Sequence, residues 1–257
     1  MMLARILADA RLRSDASVGR RSEFERAAAA AEPARGFASA LSRPGLSVVA
    51  EVKRRSPSRG VLAAGLDAVD QAMIYEAAGA TAVSVLTEPL HFDGSIEDLV
   101  AVRDAVSIPV LRKDFLLEPA QVWEARAAGA DAVLLIVAAL ETDLLAEMLA
   151  TAKSAGLDAL VEIHNAEEAS IARNAGATLV GVNNRNLATF VTDLAVAEDL
   201  ASFVHARDVV AVAESGIHGV EDARRMTDAG YDAILVGEAL VVADDPAAAL
   251  RQLVEHS

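Results

Sequence analysis

The 257-residue sequence contains no cysteine. That absence excludes a disulfide framework, a thiolate zinc site and a catalytic thiol. The five histidines, at positions 91, 164, 205, 218 and 256, do not have the HExxH spacing of a zinc site, and we expect no metal. Basic residues are also few, because 23 Lys and Arg stand against 38 Asp and Glu and give a net charge of −15. We therefore expect neither a nucleic-acid nor a membrane partner, since both attract clustered Lys and Arg.

Long apolar runs are missing as well. The longest, from Ala132 to Leu140, is far shorter than the roughly 20 residues needed to cross a bilayer. Arg5, Asp9 and Arg11 interrupt the start of the chain, where a signal peptide needs an unbroken apolar stretch, so we expect a cytoplasmic protein. Hydrophobic residues nevertheless make up 53% of the chain, which is ample for a core and excludes a disordered protein.

A short pattern recurs five times, and each copy ends a helix at a glycine before entering a run of Val, Ile and Leu: AAGATAVSVL (77–86), AAGADAVLLI (127–136), SAGLDALVEI (154–163), NAGATLVGVN (174–183) and DAGYDAILVG (228–237). Glycine stops a helix by taking the left-handed conformation, and the run that follows is typical of a strand buried on both faces. Three further runs bring the predicted strands to eight: Leu46–Lys53, Thr81–Leu86, Pro109–Lys113, Asp131–Val137, Asp158–Ile163, Thr178–Asn183, Val209–Glu214 and Asp232–Val236.

Eight strands alternating with helices predict a closed (β/α)8 barrel, the TIM barrel of the α/β class. An open doubly wound sheet is the competing architecture, but no GxGxxG follows the first strand. Residues 1–45 precede that strand and contain a basic helical stretch followed by breakers. We interpret them as an N-terminal helical extension of a single barrel domain that spans 1–257. For the first dozen residues a frayed tail is an equally good interpretation.

Charged residues occupy the predicted C-terminal ends of the strands, where a barrel forms its active site. Three acids and three bases are expected to share one mouth: Glu51, Glu162 and Glu214 with Lys53, Lys113 and Arg185. A single such residue is more often a structural ion pair. Burying six charges is costly unless each is paired, so a cluster of this kind usually persists for a ligand or a reaction. Strands 2, 4 and 8 offer only small or apolar residues, which leaves room for a substrate.

Two glycine-containing loops predict a phosphate site. The loop after strand 7 contains Ser215 and Gly216, and strand 8 leads into Gly237 and Glu238. Glycine lets the backbone approach an anion, and a short helix from Glu238 would direct free N–H groups at it; ordinary strand-to-helix turns are the alternative. The polar segment 56–60, after strand 1, has too many turn residues to be structured tightly by itself and suits a lid over the phosphate.

Seven segments occur in order over nearly the whole chain: EVKRRSPSRG (51–60), SVLTEPLHFDGSIEDL (84–99), LRKDF (111–115), VEIHN (161–165), GVNNRNL (181–187), AESGI (213–217) and VGEAL (236–240). Together they resemble the indole-3-glycerol phosphate synthase family. Several barrel enzymes share the phosphate glycines, but EVKRRSPS combined with LRKDF and GVNNRNL does not fit the others.

The resemblance implies a lyase of tryptophan biosynthesis. Its substrate is 1-(2-carboxyphenylamino)-1-deoxyribulose 5-phosphate, which closes to indole-3-glycerol phosphate with loss of CO₂ and water. The resemblance also implies functional roles for the matching positions: Glu51, Lys53, Ser56, Lys113, Phe115, Glu162, Asn183, Arg185, Glu214, Ser215, Gly216 and Gly237. The last phosphate-loop position is Glu238, so we expect only its backbone N–H to help an anion.

The implied reaction accounts for these residue types. Polarising the ketone calls for a general acid, which we assign to Lys113. The iminium left by ring closure is the electron sink for decarboxylation, so no cofactor is expected. Dehydration needs a proton donor and a base, for which Lys53 paired with Glu51, and Glu162 near Asn183, are the candidates. The sequence leaves open which lysine serves which step.

Three of these residues carry further expectations. Lys53 lies close enough to Lys113 that we expect a second cation and burial to tune the Lys113 pKa toward neutrality. Phe115 is expected either to stack on the anthranilate ring or to pack in the core. Arg185 holds the ligand or orients the carboxylates.

Other functions stay open at this point. A Schiff-base aldolase also uses a lysine inside a barrel. Phosphoribosylanthranilate isomerase shares the fold and the phosphate site, but its family's acid–base pair includes a cysteine, which this chain lacks. A non-catalytic phosphosugar-binding barrel is the third alternative. The expected partner is a small anionic substrate, and the expected assembly is a monomer or a homodimer.

Overall fold

The computed structural model describes residues 2–187, 189–205 and 208–256. Eight parallel strands close into a barrel: β1 (Ser47–Val52), β2 (Ala82–Leu86), β3 (Val110–Lys113), β4 (Ala132–Ile136), β5 (Asp158–Ile163), β6 (Leu179–Asn183), β7 (Val210–Glu214) and β8 (Ala233–Val236). Each strand pairs with its neighbours in sequence, and β1 closes the ring against β8 with Ser47 opposite Ala233. The predicted (β/α)8 barrel is confirmed, and the open doubly wound sheet is wrong.

Helices alternate with the strands and cover the barrel: α1 (Met2–Val18), α2 (Arg21–Ala30), α3 (Phe37–Leu41), α4 (Ala68–Ala77), α5 (Ile96–Ala105), α6 (Pro119–Ala127), α7 (Thr142–Ala155), α8 (Ala166–Asn174), α9 (Ala195–Val204), α10 (Val220–Asp228), α11 (Glu238–Val241) and α12 (Pro246–His256). The repeated glycines do what the pattern predicts. Gly79 after α4 and Gly230 after α10 have φ of 99° and 87°, which allows the chain to leave the helix and enter the next strand. No helix among the described residues has the length and apolar character to span a membrane.

The strands are buried on both faces, as their continuous apolar runs predict. Two layers of core result. One lies between strands and helices and includes Val83 and Met148. The other fills the barrel interior and includes Leu111 and Leu160, both fully buried.

The N-terminal extension folds as helices from its second residue. Helix α1 begins at Met2, so the alternative of a frayed tail is wrong. Helix α3 lies at the N-terminal ends of the strands, where Phe37 and Leu41 are fully buried in the interior core. The extension thus contributes to both ends of the barrel, because α1 reaches the opposite end.

The loop after β1 is more ordered than the sequence predicts. Arg55–Ser56 and Gly60–Val61 pair as a short antiparallel hairpin. The Ser56 hydroxyl accepts a hydrogen bond from the Arg59 backbone N–H at 3.2 Å, and Gly60 takes a φ of 71°. The expectation that this segment lacks tight structure of its own is therefore wrong, because a side-chain hydrogen bond and a left-handed glycine close the turn.

Candidate active site

A cavity opens at the C-terminal ends of the strands. Most of the predicted site residues line it: Glu51, Lys53, Lys113, Phe115, Glu162, Asn183, Arg185, Ser215, Gly216, Gly237 and Glu238. Glu214 is buried beside the cavity and contacts Lys113. Ser56 is buried in the hairpin, and the next residue, Pro57, lines the cavity in its place.

The Lys113 ammonium lies among three carboxylates. Its Nζ is 2.7 Å from Glu214 Oε2, 3.7 Å from Glu51 Oε2 and 4.0 Å from Glu162 Oε2. Burial lowers the pKa of Lys113, but the charges of the three carboxylates together raise it above its ordinary value. The expected tuning toward neutrality is wrong, because these three acids outweigh the effect of burial.

Glu51 lies between the two lysines. Its Oε1 accepts a hydrogen bond from Lys53 Nζ, and its Oε2 faces Lys113. Burial raises the pKa of Glu51, but the two ammonium groups outweigh that effect and hold it below its usual range. Lys53 follows β1 directly and is two positions after Glu51, so the alternation of extended backbone directs both side chains to the same side.

Among the three acids, Glu214 is the one whose negative charge is least offset by nearby cations. Burial raises the pKa of Glu214 to about 7, and the charges of Glu162 and Glu51 add to the rise while Lys113 opposes it. Its Oε1 has no hydrogen-bond partner among the described residues. Leaving a buried carboxylate oxygen without a partner is costly when it is charged, which agrees with the raised pKa.

Glu162 has a partner on each side. Its Oε2 faces Lys113, and its Oε1 is 3.3 Å from His164 Nε2. Burial raises the pKa of Glu162, but the contact with His164, the Lys113 charge and a hydrogen bond from Asn183 lower it below its usual value. His164 was not a predicted site residue. The available signal was its spacing of two from Glu162, which directs both side chains to the same side.

The two glycine loops lie together at the other end of the cavity. Ser215 and Gly216 take φ of 65° and 82°, and α11 begins directly after Gly237. A Cβ at Gly216 would lie 2.6 Å from Thr192 Cγ2, and one at Gly237 would clash with Glu51 Oε1. Glycine is therefore required at both positions for close approach of the backbone.

Glu238 has a role that the sequence did not predict for its side chain. Its carboxylate forms an ion pair with Arg59, whose Nε is 3.0 Å away, and a second with Arg185, whose terminal nitrogen is 3.6 Å away. It therefore holds two guanidinium groups, one from the hairpin loop and one after β6, beside the glycine loops. Both arginines present planar donors suited to a phosphate.

The remaining wall is apolar, and part of it comes from the N-terminal extension. Leu3 and Ile6 of α1 line the cavity together with Phe92 and Phe115, whose ring centroids are 6.3 Å apart. Glu88, after β2, also lines the cavity and is fully buried. Strand 2 itself contributes only apolar Leu86 to the cavity, as expected, whereas Glu88 lies two residues past the strand end and was not predicted.

Comparison with known proteins agrees with the motifs. A family model described as indole-3-glycerol phosphate synthase matches residues 3–253. The indole-3-glycerol phosphate synthase of Rhodococcus jostii (strain RHA1) is 52% identical over 228 residues, which cover 89% of this chain and 84% of that protein. The one from Mycobacterium avium (strain 104) is 52% identical over 233 residues, which cover 91% and 85%.

A solved structure supports the fold. The 3-hexulose-6-phosphate synthase from Salmonella typhimurium matches 82% of this chain and 97% of its own, with a TM-score of 0.66 and 16% identity. At that identity the similarity shows the barrel alone, whereas the family model and the two relatives extend over nearly the whole sequence. This chain belongs to the indole-3-glycerol phosphate synthase family.

Proposed function

We propose that this chain closes the pyrrole ring of indole-3-glycerol phosphate, starting from 1-(2-carboxyphenylamino)-1-deoxyribulose 5-phosphate. The observation that carries the residue assignments is the Lys113 ammonium, 2.7 Å from Glu214 and 3.7 Å from Glu51, in the cavity wall. This charged centre lies between two glycine loops and an apolar wall. The substrate has the matching order of parts: a phosphate, a ketone and an aromatic ring.

The substrate is oriented by its two ends. The backbone around Gly216 and Gly237 receives the phosphate, with Arg185 at its side. The anthranilate ring packs against Phe115 and the apolar residues of α1. With both ends fixed, the ketone oxygen lies near Lys113 and the ring carbon that bears the carboxylate lies next to the ketone carbon.

Ring closure forms a carbon–carbon bond between those two carbons. Negative charge develops on the ketone oxygen, and Lys113 Nζ donates a proton to it. Because its pKa is raised, the ammonium is fully protonated at neutral pH and is ready to donate. The nitrogen of the substrate becomes an iminium in the same step.

Decarboxylation then breaks the bond between the ring carbon and its carboxylate. The electron pair flows to the iminium, so the substrate itself supplies the electron sink and we expect neither cofactor nor metal. No group of three or more His, Asp or Glu in the described ranges is arranged to hold a metal ion.

Dehydration completes the aromatic ring. Lys53 donates a proton to the departing hydroxyl, and Glu162 accepts the proton of the adjacent ring carbon. The lowered pKa of Glu162 keeps it ionised and available as a base. Lys113 lies 4.0 Å from Glu162, close enough for the pair to exchange the proton after each turnover.

An ultraviolet assay for indole formation in metal-free buffer tests the proposal. We expect Lys113→Ala and Glu162→Ala each to reduce kcat by at least about 100-fold while the protein stays folded, because general acid–base groups contribute 10²–10⁴-fold. Lys153→Ala is the matched control, since that lysine is exposed on α7. Turnover close to wild type in both active-site variants would contradict the assignment.

The same assay separates the alternative functions. A Schiff-base aldolase would retain a borohydride-reducible adduct on Lys113 or Lys53, and we expect none. A non-catalytic barrel would bind the substrate without any rise in indole absorbance.

We further propose that the enzyme acts in the cytoplasm, because its anionic substrate does not cross a bilayer unaided. We also propose that it is a monomer or a homodimer.

A further inference from the structure

A partly buried histidine lies beside the proposed base. His164 follows β5 directly, and its Nε2 is 3.3 Å from Glu162 Oε1. Its Nδ1 is 3.0 Å from Glu168 Oε2, in the first turn of α8. The imidazole therefore bridges an acid in the cavity wall and an acid outside the barrel. Neither the fold nor the chemistry described above requires this bridge.

The start of α8 fixes the outer acid. Glu168 Oε2 also accepts the backbone N–H of His164 at 2.8 Å, and Glu168 Oε1 accepts from Asn165 Nδ2 at 2.7 Å. The Asn165 side chain in return caps the helix by accepting the Glu168 backbone N–H at 2.9 Å. This reciprocal cap restrains the Glu168 carboxylate and, through the contact with Nδ1, the imidazole.

The charges around His164 favour its protonated form. Burial lowers the pKa of His164, but its contact with Glu162, its hydrogen bond to Glu168 and the charges of both carboxylates raise it to about 10. Glu162 then has a cation on each oxygen, with His164 at Oε1 and Lys113 at Oε2. Glu214 also faces Glu162, and its negative charge acts in the opposite direction.

We propose that His164, held by Glu168, is a positioning residue for the proposed base Glu162. The imidazolium anchors one carboxylate oxygen, so that the other is directed toward the substrate and Lys113. The arrangement follows the same logic as a base that is oriented by a third group in a catalytic triad, with the order acid, imidazole, acid. The inference rests on the proposed role of Glu162.

His164 also borders a second cavity. That cavity lies outside the β5 and β6 ends and is lined in addition by Asn183, Asn184 and Asp193. A small molecule can therefore reach the position of the imidazole without passing through the substrate cavity. This access makes chemical rescue a suitable test.

The experiment compares kcat and kcat/KM from pH 5 to 9 in wild type and three variants, and a fourth variant, His164→Gly, is assayed with and without added imidazole. His164→Gln keeps a hydrogen-bond donor but removes the charge, and Glu168→Gln removes the charge that holds the ring. Glu167→Gln is the control, because Glu167 is exposed in the same helical turn. Thermal unfolding is followed in parallel to establish that each variant is folded.

We expect His164→Gln to lower kcat about tenfold at pH 7.5 and to leave KM within about twofold. The acid limb of its pH profile should move up by about one unit, since a lost cation raises the pKa of a neighbouring carboxylate by 1–3 units. Glu168→Gln should shift the limb in the same direction by less, and Glu167→Gln should not shift it. His164→Gly should regain activity when imidazole is added.

The proposal is overturned if the acid limb of His164→Gln lies at the same pH as that of wild type. It is also overturned if His164→Gln changes KM alone, or if Glu167→Gln shifts the limb equally. If His164→Gln does not fold, a fixed acid limb in Glu168→Gln overturns it equally. Failure of the proposed function looks different, because wild type would then form no indole. An active wild type with unshifted variants removes this inference alone.

Discussion

Residue choice at the cavity follows the chemistry of the two basic side chains. Of the 23 basic residues only three are lysines, and two of them, Lys53 and Lys113, line the cavity. A lysine can give up its proton, whereas an arginine stays charged at any working pH. The arginines accordingly take the positions that bind and orient, such as Arg185 beside Glu238. Lysines thus serve as proton donors in this cavity, whereas arginines bind and orient anionic groups.

A glycine inside β6 tests how tightly the acids are positioned. A Cβ at Gly181 would clash with Glu214 Oε1 and lie 3.2 Å from Leu160 Cδ1. We expect Gly181→Ala to displace Glu214 from Lys113, to lower kcat about tenfold or more, and to destabilise the fold by about 1–3 kcal/mol through overpacking. The indole assay and urea unfolding measure the two effects.

Gly219→Ala is the matched control for that experiment, because a Cβ there meets nothing within 4 Å. It should leave both kcat and the unfolding midpoint close to wild type. A Gly181→Ala enzyme as active as this control would show that the Glu214 carboxylate tolerates displacement, and the functional role that the family resemblance implies for it would then be wrong.

Sequence patterns located the charged residues but could not predict how many charged side chains from other strands would surround each one. Alternation along β1 correctly placed Glu51 beside Lys53, because Lys53 directly follows the strand, two positions after Glu51. The pKa of Lys113 depends on how many carboxylates from other strands approach it, and that number is set by barrel closure. The prediction for its pKa therefore had the wrong sign. His164 is different, because its spacing of two from Glu162 is a local signal that was overlooked.

At the scale of elements, strands and docked helices differ in how far local sequence determines them. Each predicted strand agrees with the structure to within one residue at either end, because the glycine stop and the apolar run are both local signals. The path of α1 depends on contacts with remote residues. Arg13 of α1 bonds to Glu88 at 2.7 Å and to Asp114 at 2.8 Å, 75 and 101 positions away in sequence. No pattern within α1 predicts that contact.

The Arg13 ion pairs are expected to hold α1 over the cavity. Their partners, Glu88 and Asp114, are buried, so the pairs are stronger than ordinary surface pairs. We expect Arg13→Met to loosen α1, to remove Leu3 and Ile6 from the cavity wall, and to raise KM about fivefold with a smaller change in kcat. Steady-state kinetics measure the change in KM and the change in kcat separately.

Limited trypsin digestion reports the same loosening directly, because α1 contains further arginines that become cleavable when it detaches. Arg11→Met is the control, since Arg11 is exposed on the same helix. Unchanged KM and unchanged digestion in Arg13→Met would mean that apolar contacts alone hold α1 in place.

On the scale of the whole molecule, the two ends of the barrel have different tasks. The reactive groups lie at the C-terminal ends of the strands, whereas α3 and the segment before it close the N-terminal end. There the Arg35 backbone N–H donates to Asp131 at 2.7 Å, and the Ala38 N–H donates to Asp158 at 2.8 Å. Polar contacts at this end thus attach the extension to the starts of β4 and β5, and we assign them to stability.

Replacing the residue that fills the closed end should separate stability from activity. Phe37 is fully buried in the interior core, so Phe37→Ala leaves a cavity and should lower the free energy of unfolding by about 3–5 kcal/mol. We expect kcat and KM of the folded enzyme at 25 °C to stay within about twofold of wild type, because Phe37 is at the opposite end from Lys113. Phe203→Ala is the control, since that ring is 41% exposed on α9 and should cost little. Urea unfolding and the indole assay on the same samples measure stability and activity separately. A Phe37→Ala enzyme that is fully folded yet slow would show that the two ends of the barrel are coupled.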